Sequence, residues 1–174
     1  FEEQIQALAD AGVDALFLET FSHLEELRLA AALGRAARLA VYASFTVGTH
    51  AETALGVPVE AAVSILDEDD NVDGIGLNCG VGPAPAYEAT DRAVRLTAKP
   101  LVVMPNAGMP RDVDGRMLYL TSPEYFTAYA KRLIQLGVRG VGGCCGTTPD
   151  HIRVMAKAVH AMSGVKRHIR IQTY

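Results

Sequence analysis

Val138-Arg139-Gly140-Val141-Gly142-Gly143-Cys144-Cys145-Gly146-Thr147-Thr148-Pro149 is the stretch that decides the fold. An apolar run ends in glycines, then in two adjacent thiols, then in a Thr-Pro helix start. It reads as a strand over 139–143, a tight turn, and a helix beginning at Thr148-Pro149-Asp150. The same pattern occurs earlier. The run 72–78 reads as a buried strand, ends on Asn78-Cys79, and leads through a Gly- and Pro-containing turn into a helix over about 85–97. On a parallel α/β sheet both places are carboxyl-terminal strand ends, where such folds build their active sites. Three thiols held there would offer a soft, tetrahedral metal three ligands and leave one position open, as in a catalytic zinc site.

Working outward, three more strands read at 15–19, 41–47 and 101–104. A helix over 22–39 opens on Ser22-His23-Leu24-Glu25, which has the form of a capping box. Further helices read at 58–67 and at 121–136, and the last ends near Met162. The segment 105–120 is the longest loop, and the basic tail 165–174 reads as extended. Five strand–helix units with near-continuous apolar strands predict a parallel sheet covered by helices. Such a sheet is either open and doubly wound or part of a barrel. A complete eight-unit barrel takes roughly 200 residues or more, and this chain has 174.

Composition narrows the function. The chain is 49% hydrophobic and 21% charged, with a net charge of −4. It has no basic stripe and no Trp, which argues against nucleic acid as a partner. No apolar run approaches the roughly 18–20 residues of a membrane span. Phe1-Glu2-Glu3-Gln4 reads as part of an acidic helix rather than a leader. Three cysteines, two of them adjacent, do not form a disulfide framework, and free or metal-bound thiols suit a reducing cytoplasm.

Each candidate residue also has a plainer reading. Cys79 alone would be a small buried hydrophobe; the adjacent pair at a matching strand end reverses that. Cys144-Cys145 could form a vicinal disulfide. Glu19, closing an apolar strand, is either a rim ion-pair partner or a ligand for a cationic substrate group. Asn78 either orients a neighbouring sulfur or satisfies its own turn. Asn106 reads as structural, and His151 as a surface residue. No histidine has metal-ligand spacing with another. The acidic run Asp67-Glu68-Asp69-Asp70 reads as a solvated turn away from the site.

Gly76-Leu77-Asn78-Cys79, Pro105-Asn106-Ala107-Gly108-Met109-Pro110, the Cys144-Cys145 stretch quoted above and Leu18-Glu19-Thr20 together resemble the homocysteine S-methyltransferase family, over essentially the whole chain. The resemblance implies a (β/α)₈ TIM barrel whose cysteines follow strands six and eight. The chain then supplies strands four to eight, and residues 1–174 form the carboxyl-terminal part of that barrel. The family's amino-terminal acidic, glycine-rich loop has no counterpart, so this piece alone is expected to lack activity.

The resemblance further implies Zn²⁺ held by Cys79, Cys144 and Cys145. The thiol of L-homocysteine would take the remaining position and be methylated to methionine, with Glu19 tipped towards the homocysteine ammonium. The Asn-Ala-Gly loop and Ser122-Pro123-Glu124-Tyr125-Phe126 look more like methionine-synthase modules and reductase fusions than betaine-dependent enzymes. Cobalamin, folate or reductase domains are therefore candidate partners besides the methyl donor. Two other classes stay open. The 140–146 loop could be a phosphate cradle of a sugar-phosphate barrel, or the thiols could form a closed, non-catalytic zinc scaffold.

Overall fold

In the computed structural model, residues 1–162 are described; the predicted extended tail 165–174, with His168, lies outside them. Helix α1 (Glu2–Asp10) precedes strand β1 (Ala15–Phe21). Then follow α2 (Leu24–Ala36), β2 (Ala40–Phe45), α3 (Val59–Asp67), β3 (Gly74–Asn78), α4 (Pro83–Ala93) and β4 (Leu101–Met104). A short hairpin, β5 (Arg111–Val113) and β6 (Arg116–Leu118), interrupts the series before α5 (Pro123–Leu136), β7 (Gly140–Val141) and α6 (Pro149–Met162).

The main sheet has five parallel strands in the order β1-β2-β3-β4-β7. Each strand lies beside its predecessor in the series, and the order never reverses. A doubly wound sheet reverses at a switch point; a barrel wall does not. The order therefore decides between the two architectures left open by the sequence, in favour of the barrel.

Alternation along the strands shows which face is packed. Leu16, Val41, Ala43, Phe45, Ile75, Leu77, Leu101 and Val103 are buried in the main core cluster or beside it, under the helices. On the other face Phe17 and Tyr42 stack at 6.0 Å, with Phe17 37% exposed.

Several boundaries differ from those read in the sequence. Helix α2 is capped by His23 rather than Ser22, with no side-chain cap hydrogen bond. Strand β1 extends to Phe21, so Ser22 belongs to the exit from the strand and the box forms no cap. Helix α4 spans Pro83–Ala93 rather than 85–97, with proline in its first turn. Strand β7 is only Gly140–Val141, because the chain leaves the ladder to enter the cysteine turn. Helix α5 starts as expected, with Ser122 Oγ accepting from Tyr125 N at 3.3 Å.

The loop 105–120 contains the unforeseen hairpin. Asp114 (φ 52°) and Gly115 (φ 78°) both take left-handed conformations, as a two-residue I′ turn requires. Asp112 Oδ1 accepts from Gly115 N at 2.7 Å.

The acidic run is not simply a solvated turn. Asp69 is 7% exposed and accepts from Arg28 Nε at 2.9 Å and from the backbone and side-chain nitrogens of Asn71. Turn geometry points this carboxylate inward, where α2 supplies the cation. Burial works against its ionisation, but Arg28 and Asn71 outweigh burial and hold the carboxyl below its ordinary value. A depressed carboxylate stabilises the fold above its unfolded pKa and loses that contribution as pH falls through the folded value. Asp69→Ala is expected to cost about 1–2 kcal/mol at pH 7. Urea unfolding should show the gap to wild type closing below about pH 4; a gap that persists there would remove the ion pair as its cause.

Candidate metal centre

Three strand ends and one loop converge at the carboxyl-terminal rim of the sheet. Strand β3 delivers Asn78 and Cys79. The Cys79 backbone is left-handed (φ 59°) and its N–H donates to Met104 O at 3.0 Å. The chain after β7 delivers Cys144 and Cys145. Residues 105–107 lie between the two cysteine turns and bind both. Cys144 N donates to Pro105 O at 2.9 Å, Cys145 N to Asn106 Oδ1 at 3.1 Å, and Ala107 N to Cys145 O at 2.8 Å. Asn106 N donates to Val81 O at 3.0 Å, just past Cys79. Buried Asn106 is thus a brace between the two turns.

The three cysteines are free thiols, with Cys79 and Cys144 half-buried and Cys145 exposed; the adjacent pair forms no disulfide. Their sulfurs lie within 4.8 Å of one another, and Cys79 and Cys145 are 3.7 Å apart. Tetrahedral zinc with sulfur at about 2.3 Å needs sulfurs about 3.8 Å apart. The donor set and its spacing therefore fit such an ion. Among the described residues no fourth His, Cys, Asp or Glu joins the cluster.

Unequal surroundings split the thiols. Burial, then Cys79, pushes Cys144 up to about 11. Burial also opposes ionisation of Cys79, yet the Gly80 N–H, the two neighbouring thiols and Asn106 bring it below its ordinary value.

Asn78, 2% exposed, links the cluster to β1. Its Oδ1 accepts from Ser44 Oγ at 2.6 Å and from Thr20 N at 2.9 Å. Its Nδ2 donates to Thr20 Oγ1 at 2.7 Å, and approaches Glu19 Oε2 at 3.5 Å and Cys144 Sγ at 4.0 Å. Two donors on one oxygen fix the amide's orientation. Glu19 is exposed on the open face of the sheet and sits one side chain from the thiols.

His151 is a correction to the surface placement expected from the sequence. It is 6% exposed. Its Nδ1 accepts from Thr148 N at 3.2 Å, and its Nε2 donates to Thr121 O at 2.8 Å. The first turn of α6 packs against α5, and this histidine ties the α6 start to the segment entering α5.

The sequence reading missed Tyr119, which follows the hairpin and lies over Gly146, the residue next to Cys145. A Cβ placed at Gly146 (φ 77°) would fall 2.1 Å from Tyr119 Cγ, so the ring uses space that only glycine leaves. Burial, then the charge of Cys145, raises the phenol above its ordinary value. The Asp-Gly pair at 114–115 was the available signal, since it marks a hairpin that turns the chain back over the rim.

The turn also bears on the phosphate-cradle reading. The amides of Gly142, Cys144, Cys145, Thr147 and Thr148 are bonded within the protein, so five of the turn's N–H groups are not offered to an anion.

Comparison with known proteins settles the family. The homocysteine S-methyltransferase family profile matches residues 1–159. The chain belongs to the homocysteine S-methyltransferase family. It is 38% identical to the methionine synthase of Mycobacterium tuberculosis over 181 aligned positions, covering 100% of this chain and 15% of that protein. It is 30% identical to homocysteine S-methyltransferase 4 of Zea mays, covering 90% of this chain and 47% of that protein. The metallated crystal form of the homocysteine methyltransferase MmuM from Escherichia coli superimposes with a TM-score of 0.67 at 28% identity. That match covers 90% of this chain and 52% of MmuM. This member of the family thus spans about half the length of those two single methyltransferases and less of the synthase. Its five-stranded wall is part of the family's TIM-barrel fold. No helix among the described residues is long and apolar enough to cross a membrane.

Proposed function

We propose that this chain is the carboxyl-terminal part of a zinc-dependent homocysteine S-methyltransferase, contributing barrel strands four to eight, the metal ligands and part of the amino-acid pocket. One observation carries the reading: three free thiols gathered at tetrahedral spacing on the carboxyl-terminal rim of a barrel wall, with no fourth protein ligand among the described residues. A closed scaffold would use four ligands; an open one has room for a substrate sulfur. Bound at Cys79, Cys144 and Cys145, Zn²⁺ would supply the positive charge that keeps a substrate thiol, ordinarily near pKa 8.5, deprotonated at neutral pH.

The chain's own groups then do the positioning. Asn78 approaches both Glu19 and Cys144, so a carboxylate and the thiol cluster lie one amide apart. That separation suits an amino thiol: sulfur at the cysteines, ammonium at Glu19. The substrate sulfur attacks a methyl electrophile; the sulfur–methyl bond forms while the donor departs with the electron pair of the broken bond. The methyl donor and any cobalamin, folate or reductase domain would meet this rim from outside the wall. The cytoplasm, which keeps thiols reduced, is the compartment that suits the site.

X-ray absorption at the zinc edge on the full-length protein tests the reading. Three sulfurs and a light atom are expected without substrate, and four sulfurs with L-homocysteine; an unchanged shell would count against substrate ligation. Glu19→Gln should keep its zinc and lose about one to two decades of homocysteine affinity by calorimetry, the value of a charge-assisted hydrogen bond. Unchanged affinity with zinc intact would return Glu19 to a structural role.

A further inference from the structure

Of the three proposed ligands, Cys145 has the least support from its own strand. Cys79 follows the five-residue strand β3, whereas the Cys144-Cys145 turn follows a β7 of only two residues, Gly140–Val141. Cys145 is also the exposed member of the set, and Gly146 (φ 77°) follows it. A metal ligand has to be held to within about 0.5 Å, so bonds from outside the strand must fix this turn.

We propose that His151 is a positioning residue for Cys145, closing a ring of hydrogen bonds that sets the cysteine turn in place before metal arrives. The inference rests on the zinc reading of the cysteines and gives a task to a residue outside the ligand set. The ring can be followed bond by bond. Ala107 N donates to Cys145 O at 2.8 Å, and Thr121 N donates to Ala107 O at 3.4 Å. His151 Nε2 donates to Thr121 O at 2.8 Å, and Thr148 N donates to His151 Nδ1 at 3.2 Å. The short run of chain from Thr148 back to Cys145 completes the circuit, tightened by Thr147 N and Oγ1, which both donate to Cys144 O.

The bond from Thr148 is the return half of a capping box, ordinarily accepted by a Glu or Gln at the third position of a helix. Helix α6 begins at Pro149, so His151 holds that position. A carboxylate there would end the circuit, because it has no proton to give to a carbonyl. Imidazole has a second nitrogen. An N–H donating to Nδ1 puts the ring proton on Nε2, where Thr121 O accepts it. The ring is 6% exposed and packs edge-to-face on Phe126 at 5.6 Å, which holds it against both partners. Thr121 is itself seated over Gly108, where an added Cβ would fall 2.7 Å from the Thr121 Oγ1.

The experiment is zinc release from the zinc-loaded, full-length protein to excess chelator, followed with a colorimetric zinc indicator. His151→Phe keeps the bulk of the ring and removes both bonds; it should lose zinc about tenfold faster than wild type. His151→Gln again offers an acceptor and a donor and should restore slow release. Asp69→Ala weakens the fold ahead of β3, at the end of the sheet away from the cysteines, and should release zinc at the wild-type rate. Hydrogen exchange of the zinc-free wild type gives a reading that needs no variant. The amides of Ala107 and Thr148 should exchange about a hundredfold or more slower than in an unfolded chain. Unprotected amides there, His151→Phe at the wild-type rate, His151→Gln as fast as His151→Phe, or equal acceleration in Asp69→Ala would each overturn the proposal and leave the zinc reading standing. Wild-type protein that binds no zinc would overturn both.

Discussion

Cys144→Ala is expected to leave the full-length protein folded and without stoichiometric zinc. The backbone around Cys144 does not depend on its thiol: the N–H goes to Pro105 O, and the carbonyl accepts from Thr147 N and Oγ1. The turn should therefore survive the substitution. The metal should not. Structural zinc sites release about 10–16 kcal/mol over four ligands, so losing one thiolate removes about two decades of affinity or more. Cys79→Ala and Cys145→Ala should behave alike, as read by metal analysis and chelator competition. Full zinc occupancy in all three variants would end the site assignment. The pH dependence has a definite sign. Cys144, pushed up to about 11 by burial and then by Cys79, carries its proton at neutral pH until metal displaces it. Affinity should fall as pH falls, by about tenfold per pH unit for each proton displaced. Flat affinity between pH 6 and 8 would mean the thiol enters already ionised.

Asn78→Leu should produce the largest loss of stability of any single change at the rim, about 3–5 kcal/mol. Leucine matches the volume and removes every polar contact at once. The Ser44 hydroxyl, fully buried, loses its acceptor, and Thr20 N loses its partner on the same atom. The orphaned Ser44 hydroxyl, being buried, costs about 1–3 kcal/mol, and the partly buried Thr20 N–H adds to it. Thr20 is also held left-handed at φ 68°, a conformation that a non-glycine residue keeps only when its surroundings require it. Chemical denaturation of the full-length protein measures the effect. A loss under about 1 kcal/mol would mean that water replaces the amide. Asn78→Asp is the informative companion, because it sets a second carboxylate against Glu19.

The sequence was most readable where a local pattern coincided with a global one. The runs around 75 and 102 are apolar because both faces of a parallel strand are covered, and they appear as β3 and β4. The convergence of Cys79 with the Cys144-Cys145 turn followed from each standing at the end of a strand. The spacing of their sulfurs did not, since it depends on the brace at 105–107, whose bonds link residues about 25–40 positions apart. Asn78 looked ambiguous because its partners, Thr20 and Ser44, come from two other strands. His151 looked superficial because a first-turn helical position is usually wet; here the neighbouring helix covers it. Tyr119 was lost with its hairpin, whose Asp-Gly turn was treated as part of a long loop. Ser22 was misplaced by one residue because a capping box describes local preference, and the strand before it ran longer than its apolar core.

Cys79 occupies a backbone conformation that favours glycine, at φ 59°, and glycine in fact follows it. Holding a side chain there costs about 1–2 kcal/mol. The thiol makes no contribution to the hydrophobic core that would offset the cost. The position is therefore occupied against its own conformational preference, and the proposed metal ligation gives a reason for the choice. A lineage that no longer needed the metal would gain stability by replacing this one cysteine with glycine. On the proposed reading, the strain at Cys79 ties stability to metal binding at a single residue.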